Sequence, residues 1–277
     1  MKDLTLGYRV LRHALLLLLA SAFLAPFVRM FLTSLKPASE IFSRDVMLFP
    51  QQLALVENYG RALTAVPLLQ YLLNGVYVCL GILLMQIVLV VPAAYAFAKL
   101  RFRFKELGWR IVLLAMMVPY QAVAIPLYVM FYHLGILDTR FSLILPFVAS
   151  AFGIFLIRQF FKTVPDDLIH AARLDGMGEL ELVWRVMLPT AIPAITAFSI
   201  LSVVAHWNDY FWPLLMISSP ELATPPLGTI LFRNEEAGTD YGPLMAGTVL
   251  ITAPLLVLFA LAQKRFIDSV TYSGVKG

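Results

Sequence analysis

The chain has 277 residues, 60% of them hydrophobic and only 14% charged, and carries a formal net charge of +4. An ordinary globular domain is roughly 45–50% apolar and about 25% charged, so this composition excludes a water-soluble fold and indicates a bilayer protein. The single cysteine, Cys79, excludes an intrachain disulfide, and the histidines His13, His133, His170 and His206 show no metal-ligand spacing.

A hydrocarbon core of about 30 Å needs ~20 predominantly apolar residues per helix, and six runs reach that length. The first, His13 to Phe31, follows a basic start; with Ala20-Ser21-Ala22 it also reads as a cleavable secretory signal, but its apolar character continues through Leu32, long enough to span. The second, Leu68 to Ala98, holds Cys79 and gives way to basic residues between Lys99 and Arg110. In the third, Ile111 to Met130, Pro119 and Pro126 flank Tyr120 and Gln121 and mark a broken span whose freed backbone groups can line a cavity. The fourth runs from Phe141 to Phe161, the fifth from Ala191 to Ile217, and the sixth from Pro243 to Ala262. Alternating segments of about ten residues are absent, which argues against a barrel and for helices.

Lys and Arg in the connections set orientation. With a cytoplasmic N-terminus, fifteen fall inside, among them Lys2, Arg9, Lys99, Arg158, Arg173, Lys264 and Lys276, and five fall outside: Lys36, Arg44, Arg61, Arg140 and Arg233. Six spans with both termini cytoplasmic are therefore expected. The implied division is a first transmembrane helix and external loop over 1–67, a five-helix core over 68–265, and a cytoplasmic tail over 266–277.

This orientation places a charged segment, 165–189, in the cytoplasm between spans four and five. Pro165 with Asp166 and Asp167 signals a helix start, because carboxylates favour the positive end of the helix dipole. That helix reaches Asp175, and Gly176 with Gly178 breaks it. Beyond the break, Leu180, Val183, Trp184 and Met187 recur at helical spacing as one apolar stripe, with Glu179, Glu181 and Arg185 on the other faces. Periodicity alone leaves two readings open, a hairpin resting on lipid and a surface for another protein.

The residues of this segment resemble a known family. Ala171-Ala172, then Gly176, nine residues, and Val186-x-Leu188-Pro189 is similar to the EAA loop of ABC transporter permeases that work with a solute-binding protein. The stretches SLKPASEIF, VPYQAVAIPLY and WNDYFWPLL and the terminal GVKG are similar to the carbohydrate-uptake branch, in particular the smaller permease of maltose-type and glycerol-3-phosphate-type importers. The resemblance covers nearly the whole chain. His170 departs from it, standing where the family has glutamate.

The resemblance implies an all-α type I importer permease that moves a sugar, polyol or glycerol phosphate. Its implied partners are a second homologous permease, two copies of a cytosolic ATPase that holds ATP and Mg²⁺, an extracytoplasmic solute-binding protein and the lipid bilayer, with no nucleic acid. This chain itself is expected to carry no cofactor and no enzymatic activity. The implied coupling residues are His170, Ala171, Ala172, Arg173, Asp175, Gly176, Leu188 and Pro189.

For a solute pathway the candidates are Tyr120, Gln121, Asn208 and Asp209. Asp209 is the carboxylate deepest within an apolar run, and such groups face a cavity or a partner. The alternative is a hydrogen bond near the outer end of span five. Trp207, Tyr210, Phe211 and Trp212 supply either stacking faces or an interfacial aromatic belt. A proton-coupled carrier or a polytopic membrane enzyme shares this composition. The first commonly shows internal repeats and the second needs clustered acid, base or nucleophile groups, and the sequence displays neither. It also lacks a GxxxxGK[ST] phosphate loop and a GxSxG elbow.

Overall fold

The computed structural model describes residues 6–43, 48–229, 233–234 and 238–274. Lys2, Arg44 and Lys276, used above for orientation, lie outside the described residues. The architecture is helical. Among the described residues fifteen α-helices follow in chain order: α1 Leu6–Ser34, α2 Ala38–Ile41, α3 Leu55–Thr64, α4 Leu68–Lys99, α5 Lys105–Ala115, α6 Ala124–Leu134, α7 Arg140–Ile144, α8 Ala151–Phe161, α9 Asp166–Leu174, α10 Glu179–Leu182, α11 Leu188–Thr190, α12 Ile192–Trp207, α13 Phe211–Met216, α14 Pro225–Gly228 and α15 Tyr241–Gly274. One small antiparallel ladder, β1 Arg233–Asn234 with β2 Gly238–Thr239, precedes the last helix.

Among the described residues three helices are long and apolar enough to cross a bilayer: Gly7–Ser34, Leu68–Lys99 and Tyr241–Gln263. Three bent pairs complete six if each counts as one span, with bends of 97° at Lys105–Ala115 and Tyr120–Leu134, 42° at Arg140–Phe147 and Ala151–Phe161, and 84° at Glu179–Thr190 and Ile192–Trp207. A proline lies at or beside each break. Pro119 disfavours helical torsions at Val118, Pro146 sits in the short 3-10 turn Leu145–Phe147, and Pro189 and Pro193 flank the third bend. The expected fifth run, Ala191 to Ile217, is thus not one helix. It consists of α12, an interruption at 208–210, and α13.

Chain contacts gather into two units. In the first, Met1–Leu69 with Gly228–Ala253, the apolar window of α1 has 0% of its residues buried within the chain. A helix that is apolar all round and left uncovered along that window needs hydrocarbon as its solvent. The buried Asn58 amide secures the end of α1 by donating to Ser34 O at 2.9 Å and Lys36 O at 2.8 Å. Gly242 approaches the same amide so closely that a Cβ there would lie 2.5 Å from Asn58 Oδ1.

The second unit, Gln70–Leu227 with Pro254–Gly277, contains the larger core. Val90, Val91, Ala94 and Tyr95 of α4 meet Ile157 and Phe161 of α8, Ile169 and Ala172 of α9, and Phe198 of α12. Gly153 permits the close packing of α8 on α12, since a Cβ there would stand 2.6 Å from the Phe198 ring.

Candidate functional site

Helix α9 ends in a C-cap formed by its glycine. The Met177 N–H reaches back to Ala172 O at 3.1 Å and the Gly176 N–H to Arg173 O at 3.0 Å, while Gly176 adopts φ +83°. This is the Schellman arrangement, in which a left-handed residue lets two otherwise orphaned carbonyls find donors. A Cβ on Gly176 would meet nothing within 4 Å, so its conformation, not crowding inside the chain, calls for glycine.

After α10 the helix widens to a π-turn at Val183–Met187, with Leu188 N bonded to Val183 O. Pro189 explains the widening. It has no N–H to offer Arg185 O, and its ring would collide with that carbonyl in a regular α-helix. The core covers only one side of this stretch. Leu182, Val183 and Met187 are buried, whereas Leu180 is 68% and Trp184 36% exposed, so the apolar stripe expected from the sequence is split between two surfaces. Ala172 is likewise buried in the core, and Ala171, His170, Arg173, Asp175, Gly176 and Pro189 face outward, with Leu188 half-buried. The outer surface also carries Leu168 and Leu174, the latter 89% exposed.

Three of the segment's charges, Asp166, Arg173 and Glu179, turn to the cytoplasm-assigned end of α4, while Glu181 and Arg185 pair with each other. Tyr95 Oη donates to Glu179 Oε2 at 2.6 Å, and Arg173 Nε donates to Glu179 Oε1 at 2.9 Å. One turn along α4, Lys99 Nζ donates to Asp166 Oδ1 and to Val164 O, both at 2.6 Å. Arg173, with help from Tyr95, holds the Glu179 carboxyl below the ordinary carboxylate range, and Lys99 does the same for Asp166. Tyr95, Lys99 and Glu179 were missed as functional positions in the sequence. The available signal was the i, i+4 spacing of a tyrosine and a lysine at the end of an apolar helix.

A second feature lies within the same unit, a cavity of about 1170 Å³. Tyr120, Gln121, Asn208 and Asp209, from two distant stretches of sequence, all line it. The 97° bend presents Tyr120 and Gln121 to it, and the interruption between α12 and α13 presents Asn208 and Asp209. Asp209 Oδ1 accepts from Trp212 N at 3.2 Å and from Tyr120 Oη at 3.4 Å, thereby also capping α13. Gln86, not singled out in the sequence, lines the cavity from α4, where it is held by donating to Phe147 O and accepting from Ser202 Oγ. A glutamine in the middle of an apolar run was the signal for it. Trp207 and Trp212 are buried, and Trp212 Nε1 donates to Ser142 O at 2.8 Å, so these two serve the core and not a membrane-interface belt.

Residues 90–272 match the family described as binding-protein-dependent transport system inner membrane component. The arabinooligosaccharides transport system permease protein AraQ of Bacillus subtilis (strain 168) is 29% identical over 98% of this chain and 96% of its own length. The diacetylchitobiose uptake system permease protein NgcG of Streptomyces coelicolor is 30% identical over 95% and 88%, and the sn-glycerol-3-phosphate permease UgpE of Yersinia pestis 28% over 96% and 97%. A crystal structure of a bacterial ABC transporter that imports the acidic polysaccharide alginate contains a similar chain, with a TM-score of 0.84, 26% identity and coverage of 96% of this chain and 100% of the other.

Proposed function

The chain belongs to the binding-protein-dependent transport system inner membrane component family, a multi-pass inner-membrane protein, and from that membership we propose how it works as the permease subunit of an ABC importer for a sugar, polyol or glycerol phosphate. In this reading both termini and the segment 165–189 face the cytoplasm. A second homologous permease completes the membrane pathway, two copies of an ATPase holding ATP and Mg²⁺ dock below, and a solute-binding protein delivers cargo from outside. This chain performs no hydrolysis itself.

The observation that carries the reading is the two-sidedness of the segment. Its inner face is fused to the core shared by α4, α8 and α12, and its outer face presents Leu168, Leu174, Leu180 and Trp184. An apolar outer face flanked by His170, Asp175 and Gly176 fits a protein cleft, and closure of that cleft around ATP pushes on the helices that enclose the cavity. Tyr120, Gln121, Asn208 and Asp209 are proposed to meet the solute there.

Isolation of the tagged chain in mild detergent tests the assignment: an ATPase and a second permease are expected to accompany it, and vesicles of the complex are expected to accumulate solute with ATP. Recovery of the chain alone, active with a proton gradient and indifferent to ATP, would refute it.

A further inference from the structure

We propose that the cavity selects uncharged, hydroxyl-rich solutes, namely oligosaccharides of neutral sugars, and rejects anionic ones such as glycerol phosphates and uronates. This rests on the importer reading above and narrows it to one chemical class.

Size permits an oligosaccharide. The cavity's roughly 1170 Å³ exceeds the roughly 300–1,000 Å³ typical of pockets for drug-sized ligands. Its polar groups are of a kind that suits hydroxyls. The amides of Gln121 and Asn208 both donate and accept, as does the Tyr120 hydroxyl, and a sugar hydroxyl likewise does both. Aromatic rings stand beside them, with Tyr120 and Phe211 centroids 5.9 Å apart, and offer flat apolar surface to the C–H faces of a pyranose or furanose.

An anion finds no counterpart. Charged groups leave water only when paired, and sites for phosphate or carboxylate normally supply an Arg fork, a Lys or a free helix N-terminus. Among the described residues, none that lines the cavity is Lys or Arg, and the single carboxylate there, Asp209, adds a like charge. Three helix starts meet the wall, and two are capped by side chains: Ser150 Oγ accepts from Gly153 N at 3.0 Å in α8, and Asp209 accepts from Trp212 N in α13. The third, α6, continues directly from the 3-10 turn Tyr120–Val123, and its first N–H, that of Ala124, is taken by Gln121 O. Of the lining groups only the His206 imidazole can acquire positive charge, and its ring centroid packs 4.7 Å from that of Phe147. At pH 7.5 an ordinary imidazole, with a pKa of about 6.5, is largely neutral.

The test uses the whole importer complex, purified through this chain and placed in lipid nanodiscs at pH 7.5 without its binding protein. An Asn208→Cys variant is labelled with an uncharged maleimide, and the wild-type complex, whose Cys79 is buried, is the control. Gln121→Cys provides a second reporter should the first disturb assembly. Millimolar lactose or arabinotriose is expected to slow labelling at least threefold, and equal concentrations of sn-glycerol 3-phosphate or trigalacturonate to leave it unchanged. A cationic methanethiosulfonate is expected to react at least tenfold faster than an anionic one. Equal or better protection by the anions, or faster reaction of the anionic reagent, overturns the proposal. Protection by neither class overturns it as well, and ATP-driven uptake by the same complex then shows whether the importer reading survives on its own.

Discussion

Replacing Gly176 with leucine is expected to abolish most transport while leaving the protein inserted and folded. At φ +83° an L-residue pays about 1–2 kcal/mol that glycine does not, and a Cβ there meets nothing within 4 Å, so strain is the whole of the internal cost. Set against a typical total stability of about 5–15 kcal/mol, that cost does not unfold the chain, but it lowers the ratio of capped to uncapped turn by about 5–30-fold. Uptake and ATP hydrolysis stimulated by loaded binding protein, both measured in reconstituted vesicles, should fall severalfold, because the turn opens more often and the leucine side chain also projects from the outer face. Gly176→Asn divides the two causes, since asparagine tolerates the left-handed conformation yet adds bulk outside. Uptake by the asparagine variant near the wild-type value would assign the defect to the turn, and an equal loss would assign it to the partner's approach. Near-normal uptake and stimulation in the leucine variant would refute the docking role.

Four further outcomes are expected. A reporter active only in the cytosol should be active when inserted near Gly178 and silent near Gly238; activity at Gly238 would reverse the orientation drawn from the basic residues. Tyr95→Phe removes a hydrogen bond to a carboxylate, a loss of about 1.5–3 kcal/mol, and should leave ATP hydrolysis running while uptake per ATP drops; an unchanged ratio would show that the clamp is only structural. Gly153→Ala forces α8 from Phe198 and should destabilise the detergent-solubilised protein by about 1–3 kcal/mol, read as a lowered Tm, whereas an unaltered Tm would contradict the close packing. The Asp138 carboxyl accepts from the N–H groups of Ser218 and Ser219 and from the Ser219 hydroxyl, which hold its pKa below the ordinary carboxylate value. Stability from this group is therefore full above the unfolded carboxylate pKa of about 4 and is lost as pH falls through the depressed value, so the stability gap between wild type and Asp138→Asn should close on acidification and not on raising the pH.

The apolar runs were legible because hydrocarbon thickness dictates their length, and the breaks because proline acts locally; Pro119 announced the bend that carries Tyr120 and Gln121. Gly176 was legible for the same reason, as a glycine directly after the last turn of α9. The split stripe was not. Adjacent residues already lie about 100° apart round a regular helix, so Val183 and Trp184 stand at the two edges of the stripe, and only the packing against the core decides that Val183 goes in and Trp184 stays out. Asp209 was singled out by its depth in an apolar run, and its bond to Trp212 N requires that α12 stop at Trp207; Pro213, whose ring would collide with Asp209 O in a continuous helix, was the signal left unread.

The charges within 165–189 also take on a different meaning in three dimensions. Read along the chain, they keep the segment in water; in the fold, Glu179 and Asp166 face Tyr95 and Lys99, and the apolar Leu174 and Leu180 are the ones left outside. That inversion suits the proposed coupling role, in which the segment is pulled as well as pushed. Apolar packing against α4 resists compression, because a dense core does not yield, but directional bonds to two residues one turn apart also resist sliding along the helix and separation from it. A partner that grips the outer leucines therefore moves α9, α10 and the end of α4 as one body. Under the proposed coupling role, the bends at Pro119 and at 208–210, not the segment's own attachment, are where the cavity is expected to change shape.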